Sequence, residues 1–325
     1  FRSKVLHALL ETDAFEDFQT KGGAQLEYAV VGISNWTLDA SKMNRAIYLA
    51  RPDPDAEDLL ETAIAIYQSM QGDINYYVNR PMKTLLKKIA DTYYKRTQQE
   101  DTDKKSFHGL RDFYSLVKSI GRYQQPSSEE LMQAVARNFS GLPEYLYDAD
   151  GYRASERIFC NNILPDGENT VDNQDLLRVC PVVNLVRDNL VDSHARHLML
   201  ITQSDAAVSI LEHDTNVSDM EVMIGSRFSD DTGDDYNYRM LSKIILCMET
   251  GQRLVLKGLE KIYGALYDML NQHYSFYGGN KLCRVALGAN SQKDCKVHPE
   301  FRCLVLIDHV AIDHSDPPFL NRFEK

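Results

Sequence analysis

The sequence predicts an α/β protein in which parallel sheets flanked by helices occur in tandem, separated by an all-helical module. Three observations carry this reading. Strand and helix patterns alternate over residues 194–325, which is the order that builds a parallel sheet covered on both faces. Residues 53–147 read as helix throughout. An internal repeat then relates the start of the chain to its end. Leu6-His7-Ala8-Leu9-Leu10-Glu11, Gly22-Gly23, the strand at 26–34 and Lys42-Met43-Asn44-Arg45 correspond to Leu266-Tyr267-Asp268-Met269-Leu270-Asn271, Gly278-Gly279, the strand at 301–307 and Phe319-Leu320-Asn321-Arg322.

Each element has a local reason. Val5, Leu6, Leu9 and Leu10 recur at helical spacing, and the apolar run from Leu26 ends on polar Ser34-Asn35, as a buried parallel strand does. Ala46-Ile47-Tyr48-Leu49-Ala50 reads as a second short strand. Pro52-Asp53-Pro54-Asp55 opens a helix carrying Leu59, Leu60, Ala63, Ile64 and Tyr67, with acidic residues in the first turn where the helix dipole favours them. Helices follow at 81–96, 109–123 and 127–139, the last with Ser127 and Glu130 spaced as a capping box. Residues 148–193 are rich in Asp and Asn and contain Pro165-Asp166-Gly167, so a linker is expected there. Beyond it come strand 196–202, helix 205–213, strand 221–225, helix 236–250, strand 253–257, helix 259–276, a hairpin at 281–297 and strand 301–307.

Composition narrows the function classes. The 325 residues correspond to about two domains at roughly 150 residues each. Lys and Arg number 36 against 47 Asp and Glu, a net charge of −11, which argues against nucleic acid as an overall partner while leaving room for a local anion site. No window has the ~18 apolar residues of a membrane span, and no signal peptide is read before the first helix, so a soluble protein is expected. The six cysteines are scattered without a CxxC pair, which fits a reducing, intracellular compartment better than secretion. The sequence starts at Phe1-Arg2 without a Met and stops at Asn321-Arg322-Phe323-Glu324-Lys325 in mid-pattern, so it reads as a segment of something larger.

Four residues are candidates for chemistry. Asn35, at the carboxyl end of a strand, has an amide able to orient a water beside a phosphate; a turn-forming Asn is the plainer alternative. Arg45, ten positions on, can reach out of its unit to neutralise a neighbour's phosphates, or it is a surface arginine. Arg111, in Gly109-Leu110-Arg111-Asp112, can fold over a nucleotide from the start of a helix, or pair locally with Asp112 or Glu100. Arg322 occupies in the second copy the place Arg45 has in the first.

Longer runs carry a resemblance. Val31-Gly32-Ile33-Ser34-Asn35-Trp36-Thr37-Leu38-Asp39, Lys42-Met43-Asn44-Arg45, Gly109-Leu110-Arg111-Asp112-Phe113-Tyr114-Ser115-Leu116 and Arg137-Asn138-Phe139-Ser140-Gly141 resemble the dynein-type AAA+ core of the mysterin family of giant RING-type ubiquitin ligases. Cys247-Met248-Glu249-Thr250-Gly251, Leu266 to Gln272, Val297-His298-Pro299-Glu300-Phe301-Arg302 and Leu320 to Lys325 resemble it too, so the likeness covers nearly the whole chain and is weakest at 148–193. It implies tandem AAA+ units of the P-loop NTPase type. Residues 1–52 would be the C-terminal part of one large subdomain, 53–147 its helical lid, 148–193 a linker, and 194–325 a second large subdomain.

The resemblance also implies roles. Asn35 becomes a sensor-1 residue, Arg45 an arginine finger, Arg111 the sensor-2 arginine of the lid, and Arg322 the finger that the second unit offers to the first. ATP with Mg²⁺ is the implied cofactor. The implied partners are neighbouring AAA+ units of the same polypeptide, with a ubiquitin-conjugating enzyme and ubiquitin met through regions outside this sequence. The implied location is the cytosol, with lipid-droplet association. A non-hydrolysing scaffold within such a ligase is the alternative. A related midasin-like ring shares the His298-Pro299-Glu300-Phe301-Arg302 and Asn321-Arg322-Phe323-Glu324 elements, but the runs at 31–45 and 109–116 point away from it.

Departures from the pattern are informative. The sequence has no GxxxxGK[ST] loop to cradle phosphates. In the second unit the P-loop position reads Thr202-Gln203-Ser204-Asp205-Ala206-Ala207, and the Walker-B position reads Lys257-Gly258-Leu259-Glu260 in place of Asp-Glu. This unit is therefore expected not to hydrolyse ATP, while the Walker motifs of the first unit are expected before Phe1. Cys295, His298 and Cys303 have partial zinc spacing, but Cys303 falls in a predicted buried strand and no fourth ligand is near, so no metal site is assigned.

Overall fold

The computed structural model describes residues 31–33, 47–50, 52–99, 107–141, 154–164, 171–204, 206–214, 220–226, 228, 233–288 and 291–325. The chain divides into two compact units, Phe1–Pro54 and Asp55–Lys325. In the first unit, residues 31–33 and 47–50 carry no regular secondary structure, although the apolar pattern predicts strand at both. The remainder of those two expected strands lies outside the described residues.

The second unit opens with a helical layer. Helix α1 (Ala56–Met70) begins at Asp55, whose carboxylate accepts from the N–H groups of Glu57 and Asp58, satisfying donors that the helix itself leaves unpaired. Helices α2 (Arg80–Gln99), α3 (Leu110–Ile120) and α4 (Ser128–Phe139) follow, and the predicted Ser127–Glu130 box is formed, with Ser127 N–H donating to Glu130 at 2.7 Å. Tyr67, Tyr93, Phe113 and Phe139 lie in one shared core.

Residues 148–193 differ from the expected linker. Helices α5 (Ala154–Ile163), α6 (Asn173–Val179) and α7 (Val182–Val191) occupy much of this stretch. Phe159 and Cys160 of α5 are fully buried, and Phe159 stacks on Phe139 with ring centroids 4.2 Å apart. The Asp and Asn content that suggests a loop includes capping groups: Asp172 accepts from the Asp175 N–H at the start of α6.

The sheet layer is a four-stranded sheet in the order β1-β7-β3-β2, parallel throughout. Its strands are β1 (Leu198–Thr202), β2 (Met220–Ile224), β3 (Arg253–Lys257) and β7 (Arg302–Asp308). Helices α8 (Ala206–Asp214) and α9 (Asp234–Thr250) connect the first three of them. Strand β7 is central and almost continuously apolar because both its faces are covered. Cys303, Val305 and Ile307 face a core with α9, while Leu304 and Leu306 face one with Val186 and Leu190 of α7 and Leu211 of α8.

Between β3 and β7 the expected single helix at 259–276 is replaced by two short helices, α10 (Glu260–Tyr263) and α11 (Tyr267–Leu270). Gly264 caps the first, and Gln272 takes a left-handed φ of 53° just after the second. The chain then enters an antiparallel sheet of β4 (Ser275–Tyr277), β5 (Asn280–Ala286) and β6 (Gln292–Lys296), so the predicted hairpin gains a third strand. After β7, a 3₁₀ turn (His309–His314) leads to α12 (Pro317–Leu320). Glu324 then bridges in parallel to Leu198 on the outer edge of β1.

Candidate functional site

Asn35 and Arg45 lie outside the described residues. Arg111 and Arg322 are both described, and the fold brings them together. Arg111 stands in the first turn of α3, whose N-cap Gly109 comes so close to Asn321 that a Cβ there would lie 2.9 Å from the Asn321 amide nitrogen. Arg322 directly follows Asn321, the C-cap of α12.

Each of the two guanidiniums meets a neutral partner, one on α11 and one at its C-cap. Arg111 Nη1 donates to Asn271 Oδ1 at 2.7 Å, and the Arg322 guanidinium carbon lies 4.1 Å from the centre of the Tyr267 ring. Tyr267 and Asn271 are four residues apart and hence on one face of the turn, joined by a hydrogen bond from Asn271 Nδ2 to the Tyr267 carbonyl at 2.9 Å. Burial pushes Arg322 below the usual arginine value, and the charge of Arg111 acts in the same direction, against Tyr267 and Asp316. The neighbouring acid, Asp268, is committed to Arg284 at 2.9 Å.

The sequence left open a local pairing of Arg111 with Asp112, which the structure does not show. Consecutive helix residues point in different directions. Asp112 turns inward, is fully buried, and pairs with Arg196 at 2.7 Å and with the Lys325 ammonium at 3.4 Å. It also accepts from the Gly109 N–H at 2.9 Å. These contacts begin a charged seam between the helical layer and the sheet layer. Further along, Arg137 grips Glu324 with two hydrogen bonds, at 2.6 and 3.1 Å, and reaches Asp192 at 3.1 Å. Burial works to raise Asp192, but the hydrogen bonds from Arg122 and the His194 N–H, with the nearby guanidiniums, bring it down to about 2.

Two further seam groups respond to burial. Lys325 donates to the Phe107 carbonyl at 2.5 Å, and desolvation lowers it to about 8 despite Asp112. His108 lies between Arg96 and the Ser140 carbonyl, 2.8 Å from the latter. Since that carbonyl only accepts, Nε2 carries the proton, and burial together with Arg96 and Lys325 holds His108 neutral, well below its ordinary value.

Among the described residues, the carboxyl edge of the sheet, where open α/β sheets take ligands, shows no phosphate cradle. Strand β1 runs into α8 through Gln203 and Ser204. Beyond β3, Gly258 has a φ of 65°, and its carbonyl would clash with any Cβ on Gly225 at the end of β2. A cavity of about 300 Å³ remains there, lined by Ser226, Tyr236, Lys257 and Glu260 among others. Cys295 lies on β6 and Cys303 on β7, and among the described residues no three His, Cys, Asp or Glu side chains group as metal ligands. No described helix is long and apolar enough to cross a membrane.

Sequence reasoning did not assign roles to Tyr267 and Asn271. The signal for them was the repeat, which places their helix in both copies, but nothing in sequence spacing shows that residues 267 and 271 meet 322 and 111.

Comparison with known proteins agrees with this architecture. Residues 187–325 match the family model described as RNF213 AAA domain, and residues 2–58 match a second model with the same description. The chain is 34% identical over 337 residues to E3 ubiquitin-protein ligase rnf213-beta of Danio rerio. It is 32% identical over 342 residues to E3 ubiquitin-protein ligase RNF213 of Homo sapiens and 32% over 333 residues to that of Mus musculus. Each alignment covers 99% of this chain and 6% of the relative. With its parallel sheet flanked by helices, the chain belongs to the RNF213, or mysterin-type, family of AAA+ domains.

Proposed function

We propose that this chain is part of the ATP-driven core of a giant ubiquitin ligase and supplies lid, sensor and finger residues to a nucleotide site. The observation that carries the reading is the convergence of Arg111 and Arg322 on one face, with neutral partners on both. Two cations held close together, with Asp316 acting on Arg322 but no carboxylate forming an ion pair with either among the described residues, are suited to a polyanion, whose charge offsets their mutual repulsion. In this reading Arg111 is the sensor-2 arginine of the lid in residues 53–147. Arg322 is the finger offered by the large subdomain in residues 194–325. Both serve the nucleotide of the preceding unit, to which Asn35 belongs as sensor 1. Arg45 is the finger directed one unit further back.

The residues present fit the phosphates of ATP at the arginine pair and do not fit them at the carboxyl edge of the second unit. When bound, ATP with Mg²⁺ supplies the transferable phosphoryl group. The arginines then neutralise the charge that develops on its oxygens, and a finger of this kind is worth roughly 10³–10⁵ in rate. The second unit, with Lys257-Gly258-Leu259-Glu260 after β3 and no glycine-lysine loop after β1, holds the finger without hydrolysing ATP itself. Its partners are the adjoining AAA+ units, and the ligase modules elsewhere in the full-length protein would engage ubiquitin and its conjugating enzyme in the cytosol.

The test is Arg322→Ala in the full-length protein. Turnover of ATP falls about a thousandfold while ATP affinity changes little. Wild-type turnover would remove the finger role.

The charged seam favours a second reading, a rigid bracket that positions the ligase modules. Ubiquitin transfer by the full-length protein with Arg111→Ala and Arg322→Ala combined separates the two. Full transfer supports the bracket, and loss supports nucleotide control.

A further inference from the structure

The geometry points to Tyr267 and Asn271 as positioning residues: one turn of α11 holds both arginines, Tyr267 setting Arg322 through its ring face and Asn271 setting Arg111 through its amide oxygen. This rests on the nucleotide reading above and adds to it the element that fixes the two cations relative to each other.

Several observations converge on that turn. Arg322 is only 8% exposed and lies against the Tyr267 ring, whereas Tyr267 is 51% exposed. The ring therefore shields the cation on one side while remaining open on the other. A guanidinium over an aromatic face is attracted by the ring quadrupole yet keeps its N–H edges for other acceptors, which a carboxylate partner would occupy. Phe319, with its ring centre 6.0 Å from the Arg322 guanidinium carbon, stacks on Tyr263 at 5.0 Å, so the floor beneath Arg322 is itself fixed.

Asn271 is equally constrained. Its N–H and its side-chain Nδ2 both donate to the Tyr267 carbonyl, at 3.0 and 2.9 Å, which orients Oδ1 toward Arg111. The next residue, Gln272, is the one non-glycine with a left-handed φ among the described residues, at 53°, and its side chain donates to the Ala195 carbonyl at 3.0 Å. Backbone in that region is sparsely populated by side-chain-bearing residues and persists where surrounding contacts over-determine it. The turn that carries both holders is thus tied to the chain segment entering β1.

Lysines in place of the arginines would still be drawn to the ring and the amide, but they lack the planar fork whose direction the turn sets. The turn fixes the direction of two planar forks, and small displacements of such groups are costly when they must meet developing charge.

The experiment is a set of double-mutant cycles on ATP turnover in the full-length protein, with KM and kcat separated. Tyr267→Leu lowers kcat about tenfold or more with KM for ATP within about twofold, and Tyr267→Phe, which keeps the ring, stays within about threefold of wild type. Tyr267→Leu adds nothing further to Arg322→Ala, because a residue acting through another has no effect once that other is gone. Asn271→Leu behaves in the same way against Arg111→Ala. If Arg322→Ala lowers turnover but Tyr267→Leu does not, the positioning role is overturned and the nucleotide reading stands. Additive losses, or a Phe variant as poor as the Leu variant, overturn it too. Unchanged turnover in Arg322→Ala removes the nucleotide reading itself, and the positioning role with it.

Discussion

Arg322 and Glu324, the partner of Arg137, belong to the same short stretch, 321–325, and the two arginines are set up in opposite ways. Arg137 is clasped by two carboxylates, Glu324 and Asp192, whereas Arg322 lies on a neutral ring. The same contrast separates adjacent residues of α3. Asp112 is buried between Arg196 and Lys325, while Arg111 is exposed and meets an amide. Charge matched to charge at the seam joins the helical layer to the sheet layer. At the patch the direct partners are a ring and an amide, and in the proposed reading the two cations there take an outside anion. In the proposed reading, stability depends on the seam and phosphate recognition on the patch.

The largest effect expected on stability is from Asp112→Ala. It leaves Arg196 and the Lys325 ammonium buried without their carboxylate and costs about 3–5 kcal/mol, read by denaturant unfolding. A loss below about 1 kcal/mol would break the contrast. Arg137→Ala comes next, at about 2–3 kcal/mol, because Glu324 and Asp192 lose charged hydrogen bonds. Both variants keep the patch residues unchanged.

Acid should weaken the fold through the buried histidines. His197 is held neutral chiefly by burial, with Arg302 and Lys281 adding to it, and titrates at about 3 in the folded state. His108 is lowered in the same direction. Below the ordinary histidine value of about 6.5, the unfolded chain carries a proton that the folded chain lacks, so stability falls as pH is lowered through that window. The slope is about 1.4 kcal/mol per pH unit for each histidine, and His108→Gln removes its share in melting curves recorded between pH 6.5 and 5. The smallest effect expected is from Arg111→Gln, within about 0.5 kcal/mol of wild type, since its partner is a single exposed amide.

Much of this organisation is legible in the sequence. Continuous apolar runs give the parallel strands, apolar residues at helical spacing give α1 to α4, and Ser127 and Glu130 mark a true helix start. The runs at 109–116, 137–141 and 320–325 carry the family likeness, and they are the segments that interlock at the seam. What stays hidden depends on contacts distant in sequence. Helix α5 looks like part of a loop until Phe159 is seen stacked on Phe139, and the helix expected at 259–276 is broken at Gly264 and ends at Leu270, after which residues 275–277 pair with β5. For the candidate site, Arg111 and Arg322 are legible as residues, but their pairing is not. It is made by Tyr267 and Asn271, some 50 to 160 positions away from the residues they hold.

The division between seam and patch is tested most directly by titrating tripolyphosphate into this 325-residue chain at low salt and following binding by calorimetry. The account predicts binding that weakens as salt rises, is lost by about tenfold or more in the Arg111→Gln, Arg322→Gln double variant, and survives in Arg137→Gln. Equal binding by the double variant, or equal loss in Arg137→Gln, would contradict it.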